Sequence, residues 1–255
     1  MIRPNRPVAL YPRLTFEYGS KMGMGEGRST VTHAPSRSDR RKAATAAAIM
    51  KAAERHFLEK GFHGTKIEDV ATDADVATGS IYVHFGSKEG LYLALIERAL
   101  HVEEGYLAGA FDPAKTPGEQ LIAAGDAYLR FYVEHPGYFR MLAFPYFDTR
   151  PNAKADPTAA RVAQLAEAQV TRLARAIGDA VDAGLIRKVD PWRAAKFMWG
   201  AWVGVIALNL RPDRLRIKDE ELASVLEEGR AMISFGLSAV RPVPPRRKRR
   251  GIKSR

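Results

Sequence analysis

Residues 65–89, TKIEDVATDADVATGSIYVHFGSKE, have the pattern of two short helices joined by a tight turn. In the first helix the apolar residues recur at i, i+3, i+4 and i+7 and therefore share one face; they are Ile67, Val70, Ala71 and Ala74. The second helix covers about residues 77–84, with Ile81 and Phe85 one turn apart on its inner face. This spacing predicts a helix-turn-helix, whose second helix can enter the major groove of DNA.

Capping residues mark where the helices around this motif begin. Thr65 and Glu68 have the spacing of a capping box at the start of the first motif helix. Ser87 is predicted to cap the helix that follows the motif. The helix that precedes the motif is expected to begin at Ser36 or Ser38 and to end near residue 60.

Residues 79–89, GSIYVHFGSKE, resemble the signature G-T-L-Y-x-(Y/H)-F-x-S-K-E of TetR-type, or tetracycline-repressor-like, transcriptional regulators. The upstream segment 49–65, with its Gly61-Phe62 pair, looks like the first helix of that family and its exit. The resemblance is specific over residues 40–100, because helix caps, turn and aromatic residues match in register. Beyond this range it extends only to the layout of helices.

The resemblance implies an all-α fold of about nine helices, three in a DNA-binding head and six in a body for ligand binding and dimerisation. The head is expected at residues 38–100, with the motif at about 66–85, and the body at 101–240. A cytoplasmic homodimer without a cofactor is implied, which binds double-stranded operator DNA and is released by a small hydrophobic ligand. A DNA-binding protein without a ligand, and a carrier or enzyme that uses the body cavity, are the alternatives.

Three positions depart from the family pattern. Ala77 stands where a capping serine is common, so the second motif helix has a weaker start. Asp75 stands where glycine is usual in the turn, and aspartate tolerates the left-handed conformation needed there. Glu68 stands where a groove-facing polar residue is frequent; it either completes the capping box or accepts from a cytosine amino group.

The outer face of the second motif helix is a candidate for DNA contact. Short hydroxyl side chains near a helix N-terminus can reach base edges or phosphates, and Gly79 lets the backbone approach closely. Lys88 is a point charge suited to phosphate. The alternative is a solvated polar face of a small bundle. With the resemblance, the residues assigned to DNA contact are Arg41, Thr65, Lys66, Thr78, Gly79, Ser80, Tyr82, His84 and Lys88.

The net charge of +11 is concentrated at the two ends of the chain. Residues 1–37 carry six Lys/Arg and two Glu, and residues 241–255 carry eight Lys/Arg and no acid, which leaves residues 38–240 at −1. Both ends lack apolar periodicity and are predicted to be disordered basic segments. The C-terminal tail either adds nonspecific affinity for DNA or serves only as a solubilising end.

Aromatic residues are dense in the predicted body. They either form the core or line an apolar pocket with few polar groups, which is the usual form of a small-molecule site. The candidate ligand-binding residues are Tyr128, Phe131, Tyr132, Phe139, Phe144, Trp199 and Trp202.

Small residues line one face of the predicted helix 192–210. Small side chains let helices approach closely, and with the last helix this face would form a symmetric four-helix dimer interface. The alternative is tight packing within one chain. The candidate dimerisation residues are Gly200, Ala201, Gly204, Ala207, Leu226 and Ile233.

Other classes of function find little support in the sequence. There is no cysteine, and no phosphate-binding loop, dinucleotide fingerprint or nucleophile elbow is present. The histidines lack metal-ligand spacing, and His101 with Glu103 and Glu104 reads as an exposed helix face. The longest apolar run, residues 197–208, is too short to span a bilayer. We therefore expect neither a metal site, an enzyme nor a membrane protein.

Overall fold

The computed structural model describes residues 36–144 and 157–238, which form nine α-helices. They are α1 (Arg37–Gly64), α2 (Ile67–Asp73), α3 (Thr78–Phe85), α4 (Lys88–Leu107), α5 (Pro117–Glu134), α6 (Pro136–Ala143), α7 (Pro157–Asp182), α8 (Pro191–Asn209) and α9 (Asp219–Leu237). Within these ranges the extended pairing is a single bridge between Ile186 and Ser238. The predicted all-α fold is confirmed. The predicted disordered tail, and all but the last residues of the predicted N-terminal extension, lie outside the described part.

Most helix ends form as the sequence predicts. Ser36 caps α1 and forms a capping box with Asp39, whose backbone N–H donates to the Ser36 hydroxyl at 3.1 Å. A positive φ of 69° at Gly61 breaks α1 where its end was predicted. Ser87 caps α4 by accepting from the Gly90 N–H at 3.0 Å. These residues determine where the helices on both sides of the motif begin and end.

The capping box predicted at the start of α2 does not form. Thr65 is buried, and its hydroxyl donates to the Gly61 carbonyl at 2.8 Å. The residue that precedes the first turn of α2 is Lys66, which makes no side-chain cap. The prediction was wrong because the positive φ at Gly61 brings that carbonyl within reach of Thr65. The Glu68 side chain is therefore exposed and not used in capping.

The core of the head continues into the body. The motif residues Ile67, Val70, Ala71 and Ile81 are buried as predicted, and they belong to the same apolar cluster as Phe131 and Phe139 of the body. The shared helix is α4, which packs on α1 and α3 in the head and on α5, α6 and α7 in the body. Described helices include none that is both long and apolar enough to cross a membrane.

A joint between α1 and α6 also connects head and body. The Tyr138 hydroxyl of α6 donates to Glu54 Oε1 of α1 at 2.6 Å, and Arg98 of α4 is 3.2 Å from the other oxygen of Glu54. A Cβ placed on Gly137 would come within 2.9 Å of Leu58, so the backbone of α6 lies directly on α1. The first helix of the head is thereby in direct contact with α6 of the body.

Candidate nucleic-acid interface

The turn between α2 and α3 has the geometry that the sequence predicts. Asp75 adopts a φ of 53°, in the left-handed region where glycine is usual. The Val76 N–H then donates to the Ala71 carbonyl at 3.0 Å, which closes the turn. Ala77 precedes α3 without a side-chain cap, also as predicted. The first amides of α3 therefore meet no capping side chain, and amides of this kind bind phosphate oxygens.

The two faces of α3 are clearly separated. Ile81 is fully buried against the head, whereas Tyr82 is exposed and Thr78, Ser80 and His84 are partly exposed. A Cβ on Gly79 would meet no atom within 4 Å. Packing within the chain therefore does not require a glycine at position 79, and the backbone at this position is open to a partner. This outer face can meet the edges of bases.

The remaining residues predicted to contact DNA differ in their exposure to solvent. Lys66 and Arg41 are exposed, and Lys88 is partly exposed with its Nζ 4.6 Å from the centre of the Phe62 ring. That contact holds the ammonium group beside α3, where it can meet phosphate. Thr65 differs from the expectation, because a buried side chain with an intrachain hydrogen bond cannot reach DNA.

Val83 is a residue of this face that the sequence analysis missed. It is 85% exposed, which is more than any other large apolar side chain of the described residues. Apolar residues were expected inside, but Val83 lies two positions from buried Ile81 and therefore on the outer face of α3. An exposed valine on a major-groove helix can contact the methyl group of thymine.

The aromatic residues of the body come together, but they fill the core. Tyr132 and Phe139 meet edge to face with ring centres 4.9 Å apart, and Tyr128 lies 6.1 Å from Phe139. The Tyr132 hydroxyl donates to the buried Asn209 side chain. Phe131 is fully buried in the same cluster. These four side chains contact one another within the core.

The other three predicted ligand residues lie at the edge of this core. Phe144 and Trp199 are each about half exposed. Trp202 is partly buried, and a Cβ on Gly125 would come within 3.2 Å of its ring, so this side chain packs directly against the backbone of α5. A cleft of about 570 Å³ elsewhere, against α1 and α4, is lined by Ala47, Lys51, Glu54, Arg55, Leu58 and Arg98. That cleft contains none of the predicted ligand residues.

The predicted dimer face on α8 is open in the single chain. A Cβ on Gly200 or on Gly204 would meet no atom within 4 Å, so packing within one chain does not explain the glycines. Ala201, Ala207 and Ile233 are partly buried. Leu226 differs from expectation, since it is buried within its own chain. The sequence analysis missed large exposed apolar residues of the same two helices, namely Phe197, Val225, Met232 and Phe235.

Glu103 is also placed differently from expectation. The sequence analysis put it on an exposed helix face with His101, but it is only 4% exposed. Burial raises the pKa of its carboxyl to about 7, while a hydrogen bond from the Gln169 side chain opposes the increase. Among the described residues, no group of three or more His, Cys, Asp or Glu is arranged to hold a metal ion.

Comparison with known proteins agrees with this architecture over both parts of the chain. Residues 49–95 match the family model described as bacterial regulatory proteins, tetR family. Residues 121–231 match the model of the tetracyclin repressor-like C-terminal domain. The first range contains the whole helix-turn-helix, and the second covers most of α5, all of α6 to α8 and most of α9. The chain belongs to the TetR family. The head and body described above are thus the two parts expected of a TetR-family protein.

Individual TetR-family relatives share only part of the chain. The transcriptional repressor NicS of Pseudomonas putida is 31% identical over 103 residues, 37% of this chain and 45% of NicS. The transcriptional activator FasR of Mycolicibacterium smegmatis is 30% identical over 111 residues, 42% of this chain and 49% of FasR. The chain thus spans about half the length of the curated relatives it matches.

Solved structures of the family extend the likeness to most of the chain. The structure of AibR in complex with isovaleryl coenzyme A and operator DNA gives a TM-score of 0.55 at 22% identity. The match covers 71% of this chain and 95% of that one. At this level of identity the likeness concerns the fold.

Replacing Lys88 by alanine is expected to weaken binding to all duplex DNA by a similar factor. Loss of one phosphate contact should reduce the slope of log affinity against log salt by about one unit, without changing sequence preference. Fluorescence anisotropy with a selected site and a random duplex, at several salt concentrations, measures both quantities. Lys115, whose Nζ donates to the Gly109 carbonyl in the body, provides the matched control variant. A change of sequence preference in Lys88→Ala would contradict the phosphate role.

Proposed function

We propose that this TetR-family chain is a sequence-specific DNA-binding regulator that acts as a homodimer and is released from its operator by a small hydrophobic ligand. The observation that carries the proposal is α3, with its inner face buried through Ile81 and its outer face open at Gly79, Ser80 and Tyr82. An exposed helix with this division of faces fits the major groove, which is wide enough to admit one helix.

The dimer follows from the apolar surface of α8 and α9. Gly200 and Gly204 leave room for a close neighbour, and Phe197, Met232 and Phe235 expose apolar rings and chains around them. Contiguous exposed apolar surface marks an interaction site. A second copy placed on this face by a two-fold axis would present two α3 helices, as two half-sites about one helical turn of DNA apart require.

The response to a ligand is a linkage between two states of the dimer. A ligand that prefers a state with a different separation of the heads weakens DNA binding by the same factor by which DNA weakens ligand binding. The apolar core that continues along α4 from head to body, together with the contact of α6 with Leu58, provides a physical path for this coupling. AibR, crystallised with both an acyl coenzyme A and operator DNA, supports a ligand-responsive function for this fold.

The sign of regulation is proposed as repression. NicS is a repressor and FasR an activator, so both signs occur among the relatives. A second candidate is a DNA-binding protein without a ligand, which the close packing of Tyr132 against Phe139 favours. A thermal-shift screen of hydrophobic compounds separates the two, because only the first predicts compounds that stabilise the protein and also weaken operator binding.

Alanine substitutions at Thr78 and Ser80 test the assignment of α3. A site is first selected from a randomised duplex pool, and affinities are then measured for that site and for single-base variants. Each substitution is expected to reduce affinity for the selected site by about 5- to 150-fold, which corresponds to 1–3 kcal/mol for a base contact, and to relax the preference at one position.

The matched control is Thr171→Ala. Thr171 is an exposed hydroxyl residue of α7 that donates to the Glu167 carbonyl, far along the chain from the head. Its substitution should leave DNA binding unchanged. If Thr78→Ala and Ser80→Ala also left affinity and preference unchanged, α3 would not be the recognition helix.

A further inference from the structure

The end of the last helix is held at one place on the body. The backbone N–H of Arg187, in the connection between α7 and α8, donates to the Leu237 carbonyl at 2.8 Å. Its guanidinium Nε donates to the Gly236 carbonyl, also at 2.8 Å. Ile186 and Ser238 form an antiparallel bridge beside these contacts. The chain after Ser238 therefore leaves the body at the α7–α8 connection, and we call the Ile186–Ser238 pair the tail exit.

The tail exit lies at the end of the body opposite the head. Helix α4 begins beside α3, at Lys88, and runs from the head into the body. Arg161 of α7 pairs with Glu97 of α4. Later in both helices Arg172 pairs with Glu104, so α7 also runs away from the head. It continues for about three more turns before the connection, which places the tail exit about 35 Å from Lys88.

Exposed basic side chains surround the tail exit. Asp182 and Asp190 are the acidic residues between positions 180 and 196, and Asp190 also caps α8. The segment 241–255, which follows the exit, carries eight Lys/Arg and no acid. This end of the molecule is therefore basic, although residues 38–240 together carry −1. The exposed basic residues beside the exit are Arg187, Lys188, Arg193 and Lys196.

The length of the chain limits where the tail charges can bind. The basic run 246–250 begins eight residues after Ser238 and ends twelve residues after it. A fully extended chain spans at most about 3.6 Å per residue, so this run lies within about 29 to 43 Å of the exit. DNA on the outer face of α3 lies beyond Lys88, at the limit of this reach. Holding a chain at nearly full extension costs most of its conformational entropy, which opposes binding there.

We propose that the basic end, defined as residues 187–196 together with 241–255, binds the phosphate backbone of a second DNA duplex while the heads hold the operator. The inference rests on the proposed function, because it assumes that the heads bind DNA. The two-fold axis that places both α3 helices at one end of the dimer places both tail exits at the other. A protein held on its operator meets other segments of the same DNA at high local concentration, which favours duplex DNA as the partner.

Capture of a second duplex measures this binding directly. A selected operator duplex on beads is loaded with the full chain, unbound protein is washed away, and a fluorescent duplex of random sequence is titrated in. Wild-type protein should capture it with an affinity that falls steeply with salt, because binding releases counterions from phosphates. Replacing all five basic residues of 246–250 by glutamine should weaken capture at least about tenfold and reduce the salt slope by about two units or more. Affinity for a short operator duplex in solution should change by less than about twofold.

Two further variants locate the effect. The double variant Lys188→Gln and Lys196→Gln changes only the described surface, and it should weaken capture by about two- to tenfold. The matched control neutralises five basic residues at the other end of the chain. At equal loading of the beads it should capture the second duplex as the wild type does. The residues replaced by glutamine in this control are Arg3, Arg6, Arg13, Lys21 and Arg28.

Unchanged capture after replacement of residues 246–250 would overturn the proposal. An equal loss of operator affinity and of capture would also overturn it, because the tail would then bind the DNA held by the heads. Duplex RNA or phosphatidylserine vesicles captured at least tenfold more tightly than duplex DNA would assign a different partner. Unchanged capture in the lysine double variant would remove the body surface from the site. If no operator can be selected, but the tail replacement still weakens binding to random duplex, the proposed function fails and the basic end remains a DNA-binding surface.

Discussion

Replacing Gly204 by leucine is expected to convert the proposed dimer into a folded monomer. In the single chain a side chain at this position meets no atom within 4 Å, so leucine fits and also favours the helix. Between two copies it would force the paired helices apart by overpacking. Sedimentation should show a monomer with normal helical content, and loss of paired half-site binding should reduce operator affinity by at least about 100-fold.

Two further glycines provide controls for this experiment. Gly105 is an exposed residue of α4 with open space around it, so Gly105→Leu should leave both dimer and DNA binding unchanged. A Cβ on Gly125 would lie only 3.2 Å from the Trp202 ring, so Gly125→Leu should instead destabilise the folded chain. An intact dimer in Gly204→Leu would place the interface elsewhere on the molecule.

Replacing Phe139 by alanine is expected to be strongly destabilising. Phe139 is fully buried and contacts Tyr128 and Tyr132 through its ring. Its truncation leaves a cavity, and the free energy of unfolding should fall by about 3–5 kcal/mol. Chemical denaturation followed by circular dichroism measures this change.

The paired variant is Phe144→Ala. Phe144 is 49% exposed, so its truncation should change the free energy of unfolding by less than about 1 kcal/mol. The two variants separate residues that fill the core from residues at its edge. If Phe139→Ala were nearly neutral, the site would already be loosely packed, and Phe139 would be better explained as lining a ligand cavity.

Local signals in the sequence predict the head well. The caps at Ser36 and Ser87, the left-handed Asp75 and the buried face of α2 all depend on residues within one or two turns of each other. Such interactions can be predicted from a single sequence, because the spacing of the residues decides whether they form. Thr65 is the exception. The sequence pattern paired it with Glu68, but its hydroxyl donates to the Gly61 carbonyl.

The site in the body depends on tertiary neighbours and is much less predictable. A helix pattern shows which residues share a face, but not whether that face meets the same chain, a second chain or water. Leu226 and Phe235 illustrate this limit: the sequence analysis assigned Leu226 to the dimer face and missed Phe235, yet Leu226 is buried in its own chain and Phe235 is exposed. Glu103 was placed on the surface because charged residues usually lie there, and only its packing against α7 reveals otherwise.

The contact of α6 with α1 limits how such proteins can be recombined. Leu58 and Glu54 belong to the head in sequence, but Gly137 and Tyr138 of the body complete their surroundings. A chimera joined in α4, with the head of one regulator and the body of another, would inherit mismatched surfaces at this joint. Evolutionary exchange of operator specificity is therefore expected to be easier by substitution on the outer face of α3, a helix that packs on α1, α2 and α4, than by exchange of whole heads.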